Sequence, residues 1–210
     1  MPNYCVYNMK VTGRQEDVDQ FIKELQVTDY SYNDYGCSGI EEGLRHLCRV
    51  FSADVIYDIP NKIKIDVDNS VILRDVILSG DCAWSVASCM TDSPTSYYNQ
   101  LRERYGNRSK ATTLKLESKI LNLIIEVYSE EPGCCFSEHM LYVNGEEIID
   151  ECVDYYETWE DEDGNELDDP IIEGGYDSWD FTSEYDRSLA KTIFDKHGGT
   201  PLCILEGDEL

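Results

Sequence analysis

The amino-acid sequence predicts an α+β fold built on an antiparallel sheet. Three observations lead there. The apolar runs come in the order strand, helix, strand, strand, helix, strand, residues 15–25 carry a helical period, and Asn144-Gly145 joins two β-rich runs as a tight hairpin. At 210 residues the chain suits one large domain, or one domain with an extension. It is long enough to bury roughly 70% of its unfolded surface. With 41% hydrophobic residues, 15 Tyr, 5 Phe and 3 Trp, it is too apolar to be a disordered acidic tail.

Taken in order, Tyr4 to Thr12 is rich in β formers and ends at Gly13, so it reads as a first strand. Gln15 to Leu25 places Val18, Phe21, Ile22 and Leu25 at i, i+3, i+4, i+7, with Glu16 and Asp17 complementing the helix dipole in the first turn. Tyr30 to Gly39 is a loop by composition. Leu47 to Ile59 predicts a strand stopped by Pro60, Ile63 to Val67 a short alternating strand, and Val71 to Leu78 another. Trp84, between Ala83 and Ser85, reads as core. Thr91 to Lys110 is polar and predicts a loop with one helical turn. Thr112 or Thr113 caps a helix running to Leu121. Leu123 to Tyr128 has the pattern of a buried strand.

Phe136 to Val143 then meets Glu146 to Tyr156 across the Asn-Gly turn. Ile148, Ile149, Cys152, Val153, Tyr156 and Trp159 also fit a helical face, but the turn and the β-branched and aromatic content favour strand. Asp163-Gly164 marks a further turn. Ser183 caps a last helix carrying Leu189, Ala190, Ile193 and Phe194, stopped by Gly198-Gly199 and Pro201. This order predicts a ferredoxin-like (βαββαβ) antiparallel sheet over residues 1–158, with an added β-hairpin. An acidic extension over residues 159–210 ends in a short helix.

Charge divides the chain unevenly. From Leu121 to Asp186 there are 22 acidic residues and no Lys or Arg, so that stretch carries −22 of the formal −26. Direct nucleic-acid binding is excluded as an expectation, because phosphate contacts need a basic footprint. A basic protein partner fits, since complementary fields speed encounter. Two carboxylates about 7 Å apart repel by roughly 0.6 kcal/mol in water, which over many pairs opposes folding by several kcal/mol. A solvated acidic face is the ordinary explanation of a charge run. Here the acids are interleaved with Tyr142, Tyr155, Tyr156, Trp159, Tyr176, Trp179 and Tyr185, which gives the face candidate anchors.

The nine Cys are scattered and form no CxxC, and neither a signal peptide nor an apolar run near 18 residues is read. Reduced, mostly buried thiols and a cytoplasmic location in a host cell, with no membrane partner, are the expectation. The ending Gly207-Asp208-Glu209-Leu210 is similar to an ER-retention tail, but with no signal sequence chance explains it better.

Met1-Pro2-Asn3-Tyr4-Cys5, with Asn8 and Val11-Thr12-Gly13, resembles the opening of a phage and prophage family of unknown function. Its members open Met-Pro-Asn-Trp-Cys and carry a ferredoxin-like domain. Ser79-Gly80-Asp81-Cys82-Ala83-Trp84-Ser85-Val86 with Cys89-Met90, and Leu123 to His139 including Ile125 to Gly133, extend the resemblance to about residue 158. It departs at Tyr4 and has no counterpart for Asn165 to Leu210. It implies a phage origin and a fold, with no catalytic residue to carry over.

From these features the sequence predicts a non-enzymatic acidic inhibitor that needs no cofactor. Its partner is a basic nucleic-acid-binding protein or ribonucleoprotein of a host defence complex, blocked in an anti-CRISPR manner by DNA mimicry. Residues i and i+2 of a strand lie about 6.6 Å apart, close to the spacing of phosphates along one strand. The expected contact face is Glu147, Asp150, Glu151, Asp154, Glu157, Asp161 and Asp163, with Tyr155 and Trp159 as anchors. Two alternatives stand beside it. One is a phage accessory scaffold with no host target. The other is a weak calcium-dependent module on Asp161 to Asp169, which has hard oxygen ligands but not the EF-hand spacing. Cys134, Cys135, Glu138 and His139 offer metal-ligand types, but adjacent strand residues point to opposite faces, so no metal site is expected. No Gly-x-Ser-x-Gly, phosphate-binding loop or His-Glu-x-x-His occurs.

Overall fold

The computed structural model describes residues 4–25, 45–65, 70–105, 111–161 and 163–174. The loop predicted over Tyr30–Gly39 and the helix predicted after Ser183 lie outside them. Among the described residues the protein is a mixed α+β structure around an antiparallel sheet, with no helix long and apolar enough to cross a membrane.

The first strand, β1 (Tyr4–Arg14), lies in the middle of that sheet. Its odd residues Cys5, Tyr7, Met9 and Val11 are fully buried on one face, which we call the helix face. Helix α1 (Gln15–Leu25) packs its Val18, Phe21, Ile22 and Leu25 there, at the spacing the sequence predicts. The even residues Asn8, Lys10 and Thr12 are also buried, on the opposite face.

A two-residue strand, β2 (His46–Leu47), precedes β3 (Asp54–Ile65). The strand expected to stop at Pro60 runs through it, joining the two predicted pieces. Its pairing to β4 (Ser70–Ala83) slips between Ile59 and Lys62, which leaves Pro60 and Asn61 out of the ladder. β3 is the last strand on its side of the sheet, and an irregular edge tolerates a missing N–H. β4 continues beyond Leu78 to Ala83. At Gly80 a Cβ would stand 2.0 Å from the Ser52 carbonyl oxygen, which also accepts from the Tyr7 hydroxyl at 2.7 Å. Only glycine allows that approach.

Trp84 is not core. It is 48% exposed with φ 71°, at the turn from β4 into α2 (Val86–Met90). The predicted polar loop over Thr91–Lys110 contains a nine-residue helix, α3 (Tyr97–Tyr105), whose Asn99 N–H is accepted by Ser96 Oγ at 3.2 Å. α3 lacks an apolar stripe, so periodicity passed over it. A short β5 (Ala111–Thr112) pairs parallel with β2. Thr113 caps α4 (Leu114–Ile120) by accepting from Leu116 N–H at 3.2 Å.

β6 (Ile124–Glu131) returns antiparallel to β1 on the side away from β4. Then β7 (Phe136–Val143) and β8 (Glu146–Glu160) form the expected hairpin, with Asn144 and Gly145 at φ 51° and 87° as such a turn requires. β9 (Glu166–Gly174) follows a turn with Gly164 at φ 80°. The strand order is β3-β4-β1-β6-β7-β8-β9. β8 passes residue 158, the expected domain boundary, without interruption. It pairs with β7 as far as Asp154 and with β9 from Tyr155 onward, so its second half leaves the sheet as a two-stranded ribbon.

Candidate acid–aromatic groove

The position of each acidic side chain follows from one irregularity in β8. Val143 pairs with Glu146 and Tyr142 with Glu147, but Leu141 pairs with Ile149, so Ile148 is an extra residue. Beyond this bulge the rows are fixed by alternation. Asp150 lies opposite Met140 and Asp154 opposite Phe136, on the helix face. Glu151 lies opposite His139, on the other.

The expected contact residues therefore do not share one face. Glu147, Asp150 and Asp154 stand in one row, and Glu151, Tyr155 and Glu157 in the alternate row. Carboxylates within a row come four or more residues apart, as Asp150 and Asp154 do. That is roughly 13 Å, about twice the phosphate spacing assumed for DNA mimicry, because Cys152 sits between them. Repulsion at that distance is about half what adjacent row positions would give.

Some of these acids are also already engaged. Glu147 meets Lys115 Nζ at 3.6 Å. Asp161 Oδ1 accepts from Asp163 N–H at 3.0 Å and from Asn165 N–H at 2.8 Å, and its Oδ2 accepts from the Asn165 side chain at 2.8 Å. These bonds hold the carboxyl of Asp161 below its ordinary range. Its oxygens serve the turn that was weighed as a calcium loop, and among the described residues no cluster of three or more His, Cys, Asp or Glu is arranged for an ion. Glu138 and His139 do point to opposite faces. Glu138 accepts from Val86 N–H at 2.8 Å, Ala87 N–H at 3.2 Å and Ser129 Oγ at 2.6 Å, capping α2, and burial raises its pKa. His139 hydrogen-bonds and stacks with Tyr128, ring centroids 3.9 Å apart, and reaches Glu126 Oε1 at 3.2 Å.

Four of the expected residues do come together, at the point where β8 leaves the sheet. Asp154, Tyr155, Glu157 and Trp159 line a groove of about 530 Å³ with Tyr156, Cys134 and Cys135. The turn after β6 brings the cysteines there, and Cys135 C=O accepts from Tyr155 N–H at 2.8 Å. Cys134 and Cys152 are exposed rather than buried, whereas Cys5, Cys48, Cys82 and Cys89 are buried as expected, and all seven are free thiols.

The two expected anchors fare differently. Trp159 is 50% exposed and available to a partner. Tyr155 is only 3% exposed, while its neighbour Tyr156, which was not among the expected anchors, is 70% exposed. Strand alternation exchanges the two tyrosines. The Tyr155 hydroxyl has no hydrogen-bond partner among the described residues. Its pKa is raised, first by burial and then by the nearby Glu130 carboxylate.

With this geometry in hand, the chain was compared with known proteins. No protein-family model, curated protein or solved structure matches it. The phage resemblance thus rests on the residues that carry it.

Proposed function

We propose that this chain is a non-enzymatic, phage-type acidic protein that occupies a basic nucleic-acid-binding surface of a host defence complex and competes there by charge and bulk. One observation carries the proposal. Where β8 leaves the sheet, exposed Tyr156 and Trp159 stand beside Asp154 and Glu157 in one groove, inside a stretch with no Lys or Arg. Aromatic anchors within a one-signed field are what a basic protein surface recognises.

The alternating rows favour discrete anchoring over a continuous counterfeit of the phosphate backbone. The connection β1-α1-β3-β4-α4-β6, with β1 between β4 and β6 and β3 outermost, supports a ferredoxin-like core beneath this surface.

The test is binding to a panel of purified CRISPR effector ribonucleoproteins at two salt concentrations. The expected result is binding by at least one complex that weakens steeply between 50 and 200 mM salt (roughly tenfold or more) and is lost in the Asp154→Asn/Glu157→Gln/Trp159→Ala variant. Binding that is indifferent to salt and to the triple substitution contradicts the proposal, as does no binding across the panel.

A further inference from the structure

We infer that the groove receives an arginine side chain of the partner, with the guanidinium lying between the Trp159 and Tyr156 rings and the carboxylates of Asp154 and Glu157 and donating to the Tyr155 hydroxyl. The inference rests on the basic-partner reading and sharpens it to one side-chain chemistry.

Three independent features converge. Two half-exposed or exposed aromatic rings give a cation a π face, and guanidinium stacks on such rings better than ammonium does. Two carboxylates lie in the same groove with no basic residue among its lining, so an arriving cation meets uncompensated charge. The third is the Tyr155 hydroxyl, buried and without a hydrogen-bond partner among the described residues, although its side chain lines the groove. A buried hydroxyl left unpaired is costly, and an incoming N–H donor relieves it. A planar fork with five donors reaches carboxylate, hydroxyl and ring together, whereas an ammonium head is a compact point. A volume of about 530 Å³ accommodates the side chain with its flanking backbone.

The experiment titrates N-acetyl-glycyl-arginyl-glycinamide into ¹⁵N-labelled full-length chain, beside the matching lysine and citrulline peptides. The Trp159 indole N–H is assigned through Trp159→Phe. The arginine peptide is expected to shift that indole and the amides of residues 154–159. It should bind about fivefold more tightly than the lysine peptide and at least about tenfold more tightly than the uncharged citrulline peptide. Tyr155→Phe, which keeps the ring and so the packing, should weaken arginine about 2- to 10-fold.

Equal binding of arginine and lysine at the groove overturns the guanidinium assignment and leaves the basic-partner reading standing. Shifts confined to residues outside the groove overturn the assignment as well. No shift with any peptide, together with loss of effector binding in the panel above, overturns both.

Discussion

Carboxylates in the helix-bearing part of the molecule and carboxylates along β8 behave as two different materials. Glu117 is fully buried, and Arg45 donates to it from Nε at 2.7 Å and Nη2 at 3.0 Å, while Thr112 Oγ1 donates at 2.5 Å. Glu24 shares the same guanidinium at 3.4 Å. Glu138 caps α2 with three bonds. Each of these acids is partnered and ties separate elements together. Along β8 Asp150 and Asp154 are exposed, and from Leu121 to Asp186 no basic residue follows in sequence. The difference teaches that an acidic composition is not one feature. Acids such as Glu117 hold the fold, and those at the ribbon are left for something outside it.

The comparison breaks first at Glu117. Replacing it by Ala strands Arg45 among buried groups and should cost about 3–5 kcal/mol, read from urea denaturation. A loss below about 1 kcal/mol would place Glu117 with the solvated acids.

Next comes pH. Burial, then its hydrogen bond to Glu117, raises Glu24 to about 7. A carboxyl raised by folding stabilises the native state below its ordinary value of 4.5 and loses that contribution as pH rises through about 7. The size is on the order of 2 kcal/mol, allowing for the part-exposed Arg45. Burial lowers His46 to about 4 from 6.5, which acts the other way, adding stability as pH rises from about 4 to 6.5. The two slopes oppose each other between pH 4.5 and 6.5. Glu24→Gln should expose the rising histidine slope in that window, measured as Tm against pH. An unchanged profile would contradict the assignment.

The smallest effect sharpens the contrast from the other side. Asp154→Asn and Glu157→Gln touch no folding partner and should move stability by no more than about 0.5 kcal/mol, while weakening binding. A larger loss in denaturation would make the ribbon acids structural.

Much of this was legible in sequence where the signal is local. The i, i+3, i+4, i+7 face of α1, the Thr113 cap and the Asn144-Gly145 turn each act through neighbouring residues, and each was read correctly. Signals that depend on distant partners were not. Pro60 sits inside a strand because β3 is an edge, which only the assembled sheet decides. Trp84 turns outward because the backbone has a positive φ at the junction of β4 and α2. The Asp154 to Trp159 end of the groove was found through charge and aromatic content. The exchange of Tyr155 for Tyr156 was hidden by the Ile148 bulge, which resets every later row. Cys134 and Cys135 reach the groove through pairing across the β6–β7 turn, which composition does not reveal.

The most direct test of the central claim is competition. Labelled duplex DNA bound to a CRISPR effector that captures this chain is titrated with wild-type protein and with the Asp154→Asn/Glu157→Gln/Trp159→Ala variant, both shown to melt at the same temperature. Displacement by the wild type and at least about tenfold weaker displacement by the variant is the predicted result. Equal displacement by the two proteins would move the binding surface away from the ribbon and contradict the account.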